Sequence, residues 1–253
     1  MPKKRLFNIK PLSNDVIDKA ASQQTFYQVS LSKNKETEQE IVDLVIFEQI
    51  GHDPWTGEGV GAKDVAAFLS ENKGKEVNVR INSPGGLAFD GITIHNSLIQ
   101  HSGNVNVTVE GIAASAAAII MLAGDNVRMF DNASTMFHRA MGWAFGNRDE
   151  MDAMIEILDS LDEQIALTLS QRSTLDKEEA MSLLVGKHDG TTLTAEEALE
   201  VGIIDSVITR PKKQKKQEAE DRSKSSISNM MKRECSMRLR SLELDNDSIR
   251  FDS

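Results

Sequence analysis

The sequence predicts an α/β layered domain, on two observations. From about residue 41 to 209, short β-branched runs alternate with amphipathic segments of helical period. Strands separated by helices of this length pair in parallel through crossovers. The alternation also stops abruptly: after Thr209, "RPKKQKKQEAEDRSKSSIS" has no apolar period at all. The chain is read as three stretches. Residues 1–40 supply an N-terminal strand and a polar loop, 41–209 the folded domain, and 210–253 a charged tail too polar to build a core.

Taken in order, "LFNIK" and "IVDLVIFEQIG" (41–51) read as strands, the second ended by glycine. Between them "SLSKNKETEQE" reads as an exposed loop. "GAKDVAAFLSENKG" (61–74) places Val65, Phe68 and Leu69 on one helical face and closes on Gly74. "EVNVRIN" alternates as a strand and enters "SPGG". The helix "LAFDGITIHNSLIQHSG" follows, with Ile92, Ile94, Leu98 and Ile99 as its apolar residues, and then the strand "NVNVTVEG". "GIAASAAAII" (111–120) is read as a helix opening at its serine. "NVRMFDN" and "STMFHR" are short strands. A long helix over 147–172 carries Met151, Met154, Leu158, Leu161 and Ile165 at 3-4-3-4 spacing, a seam that needs a partner. "LDKEEAMSLLVG" is another helix. "TAEEALEVG" has a capping box, Thr194 with Glu197, and "IIDSVIT" is the last strand. The stretch "MMKRECSMRLRSLELDNDSIRF" reads as a short helix within the tail.

Composition narrows the function classes. The chain has 253 residues and a net charge of −10. Residues 211–253 hold 11 Lys+Arg against 8 Asp+Glu, which leaves 18 against 31 in the first 210. An acidic body with a basic tail disfavours nucleic acid as the body's ligand. No apolar run approaches the roughly 18–20 residues of a membrane span, and no h-region follows "MPKKRLFNIK", so neither a membrane segment nor a signal peptide is expected. The single cysteine, Cys235, allows no intrachain disulfide and suits a cytoplasmic setting. No H-E-x-x-H, EF-hand, G-x-x-x-x-G-K-[ST] or G-x-G-x-x-G pattern occurs, so no metal or cofactor is expected.

The candidate chemistry centres on Ser115. It follows a strand and opens a helix, where the first backbone N–H groups lack intrahelical partners and the macrodipole is positive. It is either a small packing residue or a nucleophile facing ready donors. Gly85 and Gly86 in "INSPGG" make either a tight turn or a backbone free to aim its N–H groups at a substrate oxygen. A serine nucleophile needs a base. His138, at the end of "STMFHR", is better placed than His52, His95, His101 and His188, which fall in polar loops or on a helix.

Four motifs in order, "INSPGG", "GIAASAAA", "MFHRAMGWAFGN" before a long helix, and "LTAEEALEVGIIDSVIT", resemble the ClpP-type serine peptidases. Among these they look most like the head-maturation proteases of tailed bacteriophages. The likeness runs from about Ile41 to Thr209, making 41–209 a ClpP-like protease domain. It implies a ClpP/crotonase-type fold of stacked βαβ units with a protruding handle helix, here 147–172. It implies Ser115 as nucleophile, His138 as general base, and the N–H groups of Gly86 and Ala116 as the oxyanion hole. It further implies that Met141–Gly146 is a strand edge on which substrate is laid. The family's third triad member falls three positions before Leu193, which is Gly190; the neighbouring Asp189 is the expected acid, by a one-residue shift. Implied partners are peptide substrates (scaffold or capsid proteins), further copies in a heptameric or stacked tetradecameric ring, and an ATP-dependent unfoldase. The setting would be the host cytoplasm or the interior of an immature capsid. Two alternatives stay open: a general Clp proteolytic subunit, and an inactive ring-forming relative.

Overall fold

The computed structural model describes residues 27–33, 40–187 and 189–209. The expected strand "LFNIK", His188, and the 210–253 tail with its expected helix and Cys235 lie outside the described residues. The element order is β1 (Tyr27–Lys33), β2 (Glu40–Ile46), α1 (Ala62–Glu71), β3 (Glu76–Ser83), α2 (Ala88–Ile99), β4 (Val105–Ala114), α3 (Ala116–Met121), β5 (Asn126–Phe130), β6 (Ser134–Phe137), α4 (Arg148–Arg172), α5 (Lys177–Val185), β7 (Thr191–Thr194), α6 (Ala195–Glu200) and β8 (Ser206–Ile208).

One sheet runs in the order β1-β2-β3-β4-β5-β8. Every pair in it is parallel except β1 with β2. Period two decides its faces. Val42, Leu44, Ile46, Val77, Val79, Ile81, Val107, Val109, Val127 and Met129 are all fully buried. Val65, Phe68 and Leu69 of α1, Ile94 and Leu98 of α2, and the whole of α3 join them in one core. Each buried Val, Leu, Ile, Phe or Met side chain among them contributes about 1.5–3 kcal/mol by leaving water. The alternate residues are polar and pair across strands: Asn78 donates to Asp43 at 3.1 Å and Asn126 to Asn106 at 3.1 Å. A one-residue slip would put these amides in the core, so the register is firmly specified.

Three expectations need correcting. The polar stretch 30–40 is not wholly a loop, because its first residues belong to β1. An antiparallel edge strand needs only backbone partners, which β2 supplies, so apolar alternation was no guide. Ile99 is 60% exposed, so the apolar face of α2 is narrower than expected. The expected seam of α4 is split. Asn147 caps the helix by accepting from Asp149 N and Glu150 N, but only its second half docks. There Leu161, Ile165, Ala166 and Leu169 are buried, whereas Met151 and Ile155 are 38% and 55% exposed. Among the described residues no helix is long and apolar enough to cross a membrane.

Candidate active site

The site is made by a fork in β4. The first half of this strand pairs with β5, from Asn106 to Val109. The second half, Ile112 to Ala114, turns to β6 with Ala114 opposite Met136. Both strands end near the fork, so the residue after each, Ser115 beyond β4 and His138 beyond β6, leave side by side. The register alone therefore brings together two residues 23 apart in sequence.

Ser115 sits at φ 55, ψ −124, a conformation that a side chain-bearing residue adopts at a cost of about 1–3 kcal/mol. It is held there from both sides. Its N–H donates to Met136 O at 2.9 Å, and its carbonyl accepts from Ala118 N at 2.9 Å and Ile119 N at 3.2 Å. Only small neighbours fit. Gly85 has φ 93, and a Cβ on it would stand 2.5 Å from Ala114 O and 2.7 Å from Ser115 Cβ. The alanines of "GIAASAAA" are thus the packing condition for a strand-turn-helix corner that exposes a hydroxyl.

A cavity of about 160 Å³ opens at this corner. Its walls include Gly86, Ser115, Ala116 and His138, with Leu87, Ile119, Phe137, Met141 and Ile165 giving it an apolar floor. Gly86 is fixed by its neighbours, since Ile50 N donates to Gly85 O and Leu87 N to Ile50 O, both at 2.9 Å. Among the described residues, neither Gly86 N–H nor Ala116 N–H has a hydrogen-bond partner. Ser115 and His138 line the same space without a hydrogen bond between them. His138 Nδ1 lies 2.7 Å from Arg139 O.

A strand-turn-helix serine, a histidine across one cavity and two free N–H groups are an arrangement for acyl transfer. The Clp protease family model matches residues 61–211, more than half of the chain. The chain belongs to the Clp protease family. It is 26% identical over 172 residues to an ATP-dependent Clp protease proteolytic subunit of Bacteroides thetaiotaomicron, covering 67% of this chain and 76% of that one. A Bacteroides fragilis protein of the same description is 27% identical over 174 residues, covering 67% and 81%. A ClpP1 mutant from Listeria monocytogenes shares the fold, with a TM-score of 0.56 over 67% of this chain and 91% of that one at 23% identity.

In this Clp-type chain the expected acid, Asp189, lies in the turn between α5 and β7. Asp189 is exposed at φ 58. Among the described residues its carboxylate makes no hydrogen bond to His138. Gly190, where the family register places the acid, packs directly behind the histidine: a Cβ there would stand 2.6 Å from His138 Cβ and 2.4 Å from Phe137 O. The antiparallel pairing of β7 with β6, Phe137 opposite Thr191, sets this close approach. That short strand, "TTLT", was not anticipated, because four residues before a capping box carry no strand period.

Sequence reasoning also missed Asp162. This carboxylate on α4 is 2% exposed, yet it accepts from Arg139 Nε and from Ala140 N, each at 2.6 Å. The bond to Asp162 holds the Arg139 guanidinium further toward its charged form than usual. The helix carries Asp149, Asp152, Asp159 and Asp162, and nothing in the sequence marks the last as the one that faces inward. Beyond Ala140 the segment Met141–Gly146 is irregular, in place of the expected strand, for it has no ladder partner within the described subunit. Gly142 rests over the helix, where a Cβ would stand 3.3 Å from Leu158 and Met154, and Met141, Trp143 and Phe145 are 73%, 85% and 92% exposed.

Proposed function

We propose that this chain is a serine endopeptidase with Ser115 as nucleophile and His138 as general base. One observation carries this reading: the two side chains line one cavity with the unpartnered N–H groups of Gly86 and Ala116. His138 Nε2 takes the Ser115 proton as Oγ bonds to the peptide carbonyl carbon. The oxygen, now anionic, is met by the two N–H groups, which need no reorganisation. The C–N bond then breaks and His138 gives its proton to the leaving amine. Water repeats the sequence: His138 takes its proton, hydroxide bonds to the acyl carbon, and Oγ leaves and recovers the proton. Asp189 acts as third member only if its turn moves to displace Arg139 O from His138 Nδ1. The cavity volume and its apolar floor suit a medium-sized apolar side chain on the acyl side of the cut.

Met141, Trp143 and Phe145, with Met151 and Ile155 of α4, are five exposed large apolar side chains within fifteen residues of chain, and a lone subunit rarely exposes extended apolar surface. We assign them to contact with further copies in a ring, as the family likeness implies. Between the two settings for such a ring, the names of the curated relatives favour the proteolytic subunit of an ATP-dependent protease, and we place it in the cytoplasm beside an ATP-dependent unfoldase. Head maturation, with scaffold or capsid proteins as substrates, is supported by the motif likeness and by the charged 210–253 stretch, nearly all of it beyond the matched region. Incubation with unfolded casein tests the activity: cleavage by the chain and none by Ser115→Ala is expected. Equal cleavage by both, or none by either in an assembled ring, contradicts the proposal. Degradation of a folded substrate only with a Clp unfoldase would favour the first setting, and cleavage of a co-encoded scaffold protein without one the second.

A further inference from the structure

We infer that Asp162 is the positioning residue for His138 and acts through the Arg139–Ala140 peptide, an inference that rests on the reading of His138 as the base. The histidine lies one residue beyond β6 and has lost the support of the ladder. Something else must choose its tautomer. Its Nδ1 meets Arg139 O at 2.7 Å, and since a carbonyl only accepts, Nδ1 carries the proton and donates. The lone pair is then left on Nε2, the nitrogen a general base needs. This is the task a triad carboxylate ordinarily performs.

A carbonyl can do this only if its peptide plane is fixed. Arg139 O and Ala140 N–H are opposite edges of one planar unit. Asp162 Oδ1 accepts from that N–H at 2.6 Å, while its Oδ2 accepts from the Arg139 side chain at 2.6 Å. One carboxylate thus holds the Arg139 side chain and the N–H of the Arg139–Ala140 peptide together, and the plane it sets turns Arg139 O toward the imidazole. Asp162 in turn is anchored by the docked half of α4, between the buried Leu161 and Ile165. Arg139, Ala140 and Ile165 all line the cavity, so the tie forms part of its wall. Burying a carboxylate here is costly unless each oxygen finds a strong donor, and an apolar residue would dock the helix equally well. The grip on the peptide accounts for its presence, and the exposed turn of Asp189 does not compete for the same nitrogen.

The test uses the full chain. The rate of labelling by a fluorophosphonate is measured in the wild type and in Asp162→Asn, Asp159→Asn and Ser115→Ala, with histidine ¹⁵N shifts recorded for the tautomer of His138, assigned by its loss in His138→Gln. Asp162→Asn is expected to label at least tenfold more slowly and to lose the pure Nδ1–H signature, while Asp159→Asn, which removes only the exposed partner of Arg139, stays within threefold. Labelling of Asp162→Asn at the wild-type rate overturns the inference, as does a wild-type His138 protonated on Nε2, a reading that stands even if the variant fails to fold. Undiminished labelling of Ser115→Ala would instead remove the underlying serine-peptidase reading.

Discussion

Ser115 and Asp189 are the two residues other than glycine, among those described, that sit at positive φ, and they are held there by opposite means. Ser115 is clamped by three backbone hydrogen bonds, lies between buried alanines, and stands against Gly85 with no spare volume. Asp189 belongs to an exposed turn closed by Gly190 N donating to Val185 O at 3.2 Å and by the bridge between Gly186 and Gly190. Strain persists where the surroundings over-determine it. The conformation of Ser115 is therefore a property of the core, and that of Asp189 a property of a loop. On the proposed reading, such a site can tolerate change at the Asp189 turn, provided that some core element orients His138.

The largest effect expected from breaking this contrast comes at Gly85. Gly85→Ala drives a methyl into Ala114 O and Ser115 Cβ, so peptide cleavage should fall by about a hundredfold or more and stability by roughly 1–3 kcal/mol; a peptidase assay with a denaturant titration checks both. Near-normal activity would mean that the corner is softer than its hydrogen bonds indicate. Next is Gly190→Asp, which restores an acid at the family register. Its Cβ would collide with His138 Cβ, so activity should drop about tenfold, whereas a gain would show that the turn, and not the histidine, gives way.

The two corners also differed in how legible they were. The serine corner could be read in advance, since its conditions are local: small residues around one hydroxyl, glycines in the facing loop, a strand before and a helix after. The alternation that buries Val77, Val79 and Ile81 was equally plain. The other side depends on long-range placement. Asp162 reaches Ala140 only because the second half of α4 docks, and Gly190 reaches His138 only through the pairing of β7 with β6. Neither contact has a sequence period to announce it. The docking of half a helix likewise follows from what lies beneath it, which the regular spacing of Met151 to Ile165 does not reveal.

A smaller effect concerns the underside of the serine corner. His95 lies on the buried face of α2, one turn from Gly91, and desolvation lowers its pKa from the ordinary value near 6.5. A group lowered in the folded state binds more protons when unfolded. Its contribution to stability is complete above about pH 6.5 and is lost as pH falls toward the lowered folded value. Denaturant midpoints for the wild type should decline through that window, and those of His95→Gln less steeply. Parallel curves would assign the decline to other groups.

The central claim, that Ser115 and His138 act on one another across the cavity, is tested most directly by mass spectrometry after fluorophosphonate treatment. The account expects a single adduct on Ser115 in the wild type, formed at least a thousandfold more slowly in His138→Ala. A Ser115 left unmodified in the assembled protein, or modified equally fast without the imidazole, would contradict it.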